Sequence, residues 1–137
     1  MNEKDEKIIE LLRKNSRLSI TEISKILGIP DTTVHYRMKK INDIIKKYTV
    51  VLNYEKLGLN LYLLRMEIEK YVLEKITKEV IDNIYNDLSG KKGTVCIFRS
   101  EENIFAIMAL KEISVEEFRY PGVKNVEYLL LDSYDVI

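Results

Sequence analysis

Between residues 31 and 40 the chain reads Asp31-Thr32-Thr33-Val34-His35-Tyr36-Arg37-Met38-Lys39-Lys40. Its hydroxyls, imidazole and phenol can reach base edges, while its lysines can neutralise phosphates. Lys46 and Lys47 follow shortly after. These residue types at this density point to contact with double-stranded DNA through Thr32, Thr33, His35, Tyr36, Lys39 and Lys40, with Lys46 and Lys47 near the backbone. Val34, Met38 and Ile41 fall at i, i+4 and i+7. A helix from about Asp31 to Asn42 would bury that stripe and leave the polar set facing elsewhere.

Other chemistries find little support. His35 is the one histidine and Cys96 the one cysteine, far apart in the chain, so a nucleophile–histidine pair is not expected. A single cysteine excludes an intrachain disulfide framework and a cysteine-cluster zinc site. Val95-Cys96-Ile97-Phe98 reads as a buried strand holding a free, inert thiol. Five glycines and no glycine-rich phosphate loop leave nucleotide fingerprints missing. Glu101-Glu102 and Glu116-Glu117 read as turn and capping residues rather than acid–base pairs. No metal, cofactor or catalytic residue is expected. No apolar run approaches the ~18–20 residues of a membrane span, and the start does not read as a signal peptide. The expected location is the cytoplasm, with no membrane partner.

The elements that must position residues 31–40 are legible upstream. Ile8, Ile9, Leu11 and Leu12 cluster on one side of a helix from Asp5 to Lys14. Ser19-Ile20-Thr21-Glu22 is a capping box opening a short helix with Ile23, Ile26 and Leu27 on one face. Gly28 stands where a helix end calls for a left-handed residue, and Pro30-Asp31 suits the start of the next. Two helices joined tightly at Gly28, the second basic on its outer face, meet the requirements of a helix-turn-helix. Ile44 to Leu52 has strand character, which predicts a winged variant.

The remainder predicts a different architecture. Leu61–Glu69, Thr94–Phe98, Ile104–Leu110 and Val126 to about Ser133 read as strands. Ile76, Val80, Ile84 and Leu88 mark a helix from about Leu73 to Leu88. Ser114-Val115-Glu116-Glu117 is a second capping box, with room for only a turn or two of helix before Pro121-Gly122. The order βαββαβ is that of a ferredoxin-like sheet with a shortened second helix. The fold class is therefore α+β: a winged helix-turn-helix over residues 1–50, a linker over 51–58 and a ferredoxin-like domain over 59–137. A sheet with helices on one face needs cover on the other, which predicts a homodimer.

Charge divides along the same boundary. The chain's 22 basic and 22 acidic residues cancel. Residues 1–50 nevertheless hold eleven basic and seven acidic side chains, and residues 51–137 hold eleven and fifteen. A neutral total conceals a half at +4 suited to a polyanion and a half at −4 that a duplex would repel.

Taken together, several stretches in the right order resemble the Lrp/AsnC (feast/famine) family of transcriptional regulators. They run Asp5-Glu6-Lys7-Ile8-Ile9-Glu10-Leu11-Leu12 to Arg17, then Thr21 to Ile29, Thr33 to Ile41, Ile44 to Thr49, and Lys56-Leu57-Gly58. The resemblance implies a sequence-specific DNA-binding regulator, dimeric or assembled further into tetramers or octamers. It puts Thr32, Thr33, Tyr36 and Arg37 on the recognition helix, with Asp31 and His35 beside them. It also implies an effector loop at Arg99, Ser100, Glu101, Glu102 and Asn103. Amino-acid-binding members carry a Gly-x-x-Asp-type turn there; this loop has no glycine, and crowding by Arg99 and the two glutamates argues against a small amino-acid effector. Pro30 stands where the family usually has a serine cap. Two rival readings share the layout. An architectural DNA compactor would differ only in selectivity. A sirohaem-decarboxylase-like enzyme would need histidine, arginine or tyrosine around a tetrapyrrole pocket, yet the only histidine is His35.

Overall fold

The computed structural model describes residues 1–69, 74–133 and 135, with the backbone alone at 74–76, and divides the chain into two units, 1–50 and 51–137. In the first unit, Asn2 accepts the Asp5 N–H at 2.9 Å and so starts helix α1 (Glu3–Lys14). Helix α2 (Ile20–Leu27) opens on the expected capping box. The Ser19 hydroxyl accepts the Glu22 N–H at 3.1 Å, and the Glu22 carboxylate accepts the Ser19 N–H at 2.7 Å. Gly28 closes it at φ 65°, a conformation that a Cβ would strain. Helix α3 (Asp31–Ile41) follows Pro30 without a side-chain cap.

Ile8, Leu12, Ile23, Val34 and Ile41 form the core of this unit, with Leu11, Leu27, Met38 and Ile45 packed around them. Two expectations fail here. Ile26 is 56% exposed, because Ile20, Ile23 and Leu27 already fill the buried side of α2. The strand expected over Ile44–Leu52 does not form: Ile44 and Ile45 donate to the Ile41 carbonyl in a closing turn, and residues 45–53 take no regular structure. β-branched residues favour a strand only where a neighbour supplies hydrogen bonds, and the rest of this unit is helical.

The second unit is a four-stranded antiparallel sheet in the order β2-β3-β1-β4, from β1 (Asn60–Ile68), β2 (Thr94–Arg99), β3 (Asn103–Leu110) and β4 (Val123–Leu131). Helix α4 (Glu74–Gly90) packs Ile81, Ile84 and Leu88 against Leu64, Met66, Ile104, Ala106 and Met108. The Leu73 and Ile76 side chains lie outside the described residues. In place of a second helix there is one 3-10 turn, Val115–Phe118, whose Phe118 is fully buried. Ser114 makes no side-chain cap, so the second capping box does not form. The Tyr120 hydroxyl bonds the Asp87 carboxylate and ties this segment to α4. Gly122 passes so close that a Cβ would lie 2.7 Å from Val80.

Two parts of the sheet remain bare. Tyr128 and Leu130 pair with Leu64 and Tyr62, and so belong to the helix face, yet both are exposed beyond the short turn. On the opposite face Leu61, Leu63, Phe105 and Ile107 are half-buried, while Phe98 and Leu129 are exposed. Phe98 stacks on Phe105 with ring centroids 5.2 Å apart. Cys96 is free as expected but exposed rather than buried: it pairs with Ile107 on this open face of an edge strand.

Candidate nucleic-acid interface

The α2–Gly28–α3 corner is fixed by polar contacts. Gly28 and Ile29 N–H groups both donate to the Ser24 carbonyl, and the Ser24 hydroxyl donates to the Ile29 carbonyl. Thr21 donates to the Asp31 carboxylate at 3.3 Å. Asp31 thus links the start of α3 to α2.

Apolar Val34 and Ile41 hold α3 to the core from one side. On the opposite side Thr32, Tyr36 and Lys39, at i, i+4 and i+7, stand outermost, flanked by His35 and Lys40; all five are exposed. Thr33 is half-buried. Lys46 and Lys47 are exposed on the irregular segment after α3, where the Tyr48 hydroxyl donates to Asn42 at 3.0 Å. Lys40 Nζ lies 4.8 Å and the Arg37 guanidinium carbon 5.8 Å from the Tyr36 ring centroid. Hydrogen bonding with Lys40 and its charge, with Arg37 adding to it, hold the Tyr36 phenol below its ordinary range.

Arg37 turns inward instead. Its Nη1 is 3.6 Å from the Asp5 carboxylate of α1, and Asp5 is only 7% exposed. The arginine therefore braces α3 against α1. Asp5 Oδ1 and Arg37 Nε are buried without hydrogen-bond partners. The sequence reading gave Asp5 no role beyond opening a helix. Its position offered the signal, because Asp5, Ile8 and Leu12 fall at i, i+3 and i+7 and place a carboxylate in the buried stripe.

The five loop residues of the second unit form the turn between β2 and β3. Arg99 ends β2 and lines an open cleft of about 560 Å³ with Ile81, Asp82, Tyr85 and Asn86 of α4. The Ser100 N–H donates to the Asn103 carbonyl, and the Glu102 carbonyl accepts the Ile68 N–H. Of the five, only Arg99 lines the cleft. Among the described residues no cluster of His, Cys, Asp and Glu could hold a metal ion, and no helix is long and apolar enough to cross a membrane.

Comparison with known proteins follows this geometry. A family model described as winged helix-turn-helix DNA-binding matches residues 1–40, which are the three helices without the segment where a wing would lie. An HTH-type transcriptional regulator of Pyrococcus furiosus, PF0864, is 32% identical over 137 residues, spanning 93% of this chain and 85% of that protein. Its solved structure, described as a transcriptional regulatory protein of the AsnC family, superposes with a TM-score of 0.72 at 28% identity, covering 98% of this chain and 92% of that one. The regulator NMB0573 of Neisseria meningitidis, solved as a complex with L-Met, shares the fold at TM-score 0.77 and 17% identity, with 97% and 90% coverage. E. coli AsnC does so at 0.72 and 17%, with 100% and 95% coverage. A helix-turn-helix joined to a ferredoxin-like sheet, in a chain this similar to PF0864, makes the protein a DNA-binding transcriptional regulator of the Lrp/AsnC family.

Proposed function

We propose that the protein binds a specific operator sequence as a homodimer, reading bases with the outer face of α3. The observation that carries this reading is the clean division of that helix. Thr32, His35, Tyr36, Lys39 and Lys40 are exposed on one side, while Val34 and Ile41 are buried on the other. Thr32, Thr33, His35 and Tyr36 are the base-reading groups; Lys39, Lys46 and Lys47 serve phosphates; Lys40 stands beside the Tyr36 ring; Asp31 and Arg37 orient the helix. Selection of bound fragments from genomic DNA at moderate salt should recover a roughly palindromic sequence with half-sites about one or a few turns apart. Recovery of no preferred sequence would favour the architectural reading instead.

The dimer reading rests on the open sheet face, where Leu61, Leu63, Phe105, Ile107, Phe98 and Leu129 form an apolar surface wanting a self-complementary partner. Sedimentation should give twice the chain mass, and Leu63→Asp should give the single-chain mass. The reading includes no catalysis and locates the protein in the cytoplasm with its DNA. A small amino-acid effector is not part of it, because the loop lends the cleft one side chain, Arg99, and leaves the cleft open.

A further inference from the structure

The lysines of α3 are not equivalent. Among the described residues no ring lies over Lys39, whereas Lys40 lies over the Tyr36 ring at 4.8 Å, one turn further along the helix. Arg37 faces the same ring at 5.8 Å, and its guanidinium is itself held by the buried Asp5 at 3.6 Å. Tyr36 is thus flanked by two cations, one of them anchored through the protein interior. A phenol on a bare helix would sample several rotamers and lose that freedom on meeting a base.

We propose that Lys40 is a positioning residue for Tyr36, acting on sequence discrimination rather than as a general phosphate contact. The proposal rests on the reading of α3 as the base-reading helix. Ion–ring attraction at an exposed site is modest, so its signature is a change in selectivity more than in overall affinity. The lowered Tyr36 phenol agrees with the same geometry.

The test compares K39M, K40M, Y36L and the double variant Y36L/K40M in the full chain. Each is titrated with the selected operator duplex and with a random duplex of equal length. K39M should weaken both duplexes alike and reduce the salt slope by about 1. K40M should lower the operator-to-random ratio about two- to fivefold, and add nothing to that ratio in the Y36L background. Ring NMR of the free protein should show the Tyr36 phenol titrating below the ordinary tyrosine range, and K40M should raise it. If K40M weakens both duplexes alike as K39M does, or leaves the Tyr36 titration unmoved, Lys40 does not position Tyr36. If Y36L itself leaves the ratio unchanged, Tyr36 does not read bases and this inference falls with that role. The NMR result separates the two failures, since it needs no DNA.

Discussion

The two units solve opposite problems with their polar and apolar groups. Residues 1–50 bury few apolar side chains and fix their geometry with polar contacts: the Ser19–Glu22 box, Ser24 at the turn, Thr21 on Asp31, and Asp5 on Arg37. Residues 51–137 bury a larger apolar core with no buried charge among the described residues, and leave apolar surface open on both sheet faces. Hydrophobic packing is non-directional, whereas hydrogen bonds and ion pairs set angles. A helix that must present particular atoms to a partner benefits from angular constraint. A sheet proposed to offer a broad surface to its own copy needs area.

That contrast can be broken by substitution. The largest effect is expected from Phe118→Ala, which removes a fully buried ring and should cost about 3–5 kcal/mol in chemical denaturation. The loss should fall on the transition of the second unit and spare that of the first. A matching loss in the helical unit would mean the two do not unfold independently. Asp5→Ala comes next. It strands Arg37 beside the core and should cost about 1–3 kcal/mol, below the figure for a fully buried pair because a quarter of the Arg37 side chain stays in solvent. A neutral result would show that packing alone orients α3.

Ser19→Ala should cost about 1 kcal/mol as a lost helix cap, seen as a lower melting temperature of the first unit. This site also carries a pH signature. Hydrogen bonds from the Ser19 backbone and side chain hold the Glu22 carboxyl below its ordinary range. A carboxyl depressed on folding binds fewer protons in the folded state. Its stabilisation is therefore present above the ordinary carboxylate value and lost as pH falls through the lowered one. Glu22→Gln should flatten the acid limb of the melting profile in the first unit; an unchanged limb would exclude the box as its source. The smallest effect belongs to Ile26→Ala, expected within about 0.5 kcal/mol because the side chain is already exposed.

How far the sequence foretold this depends on whether a feature is decided within its own element. The Ser19 box, the Gly28 end and the Val34–Met38–Ile41 stripe are local, and the structure has each of them. The four strands of the sheet also appear, with ends shifted by up to three residues at Val123. What sequence reasoning missed depends on distant neighbours. Val50-Val51-Leu52 has strand propensity but pairs with no strand among the described residues. Ile26 is apolar on a face its neighbours do not need. Cys96 sits in an apolar run but at an edge, on the side α4 does not cover. Arg37 falls in the recognition-helix stretch, and only the opposing Asp5 of α1 turns it inward. The ten candidate DNA contacts lie on the exposed rim of the first unit except Thr33 and Arg37, which are half-buried. Of the five loop residues Arg99 alone lines the open cleft, and a loop's residue types do not reveal which of them share a cavity.

The order of strands bears on how the chain acquires its structure in time. The three helices of the first unit close contacts over short loops, so that unit can form as soon as its residues have left the ribosome. The sheet cannot. Its central strand β1 pairs on one side with β3 and on the other with β4, matching Leu61 to Ala109 and to Leu131. Those partners are made last, and β1 must wait for them with its backbone unpaired. During synthesis the chain should therefore pass through an interval in which the reading helices are folded and the surface proposed to join two copies does not yet exist. A chain stopped in that interval would carry a complete α3 and no sheet with which to dimerise.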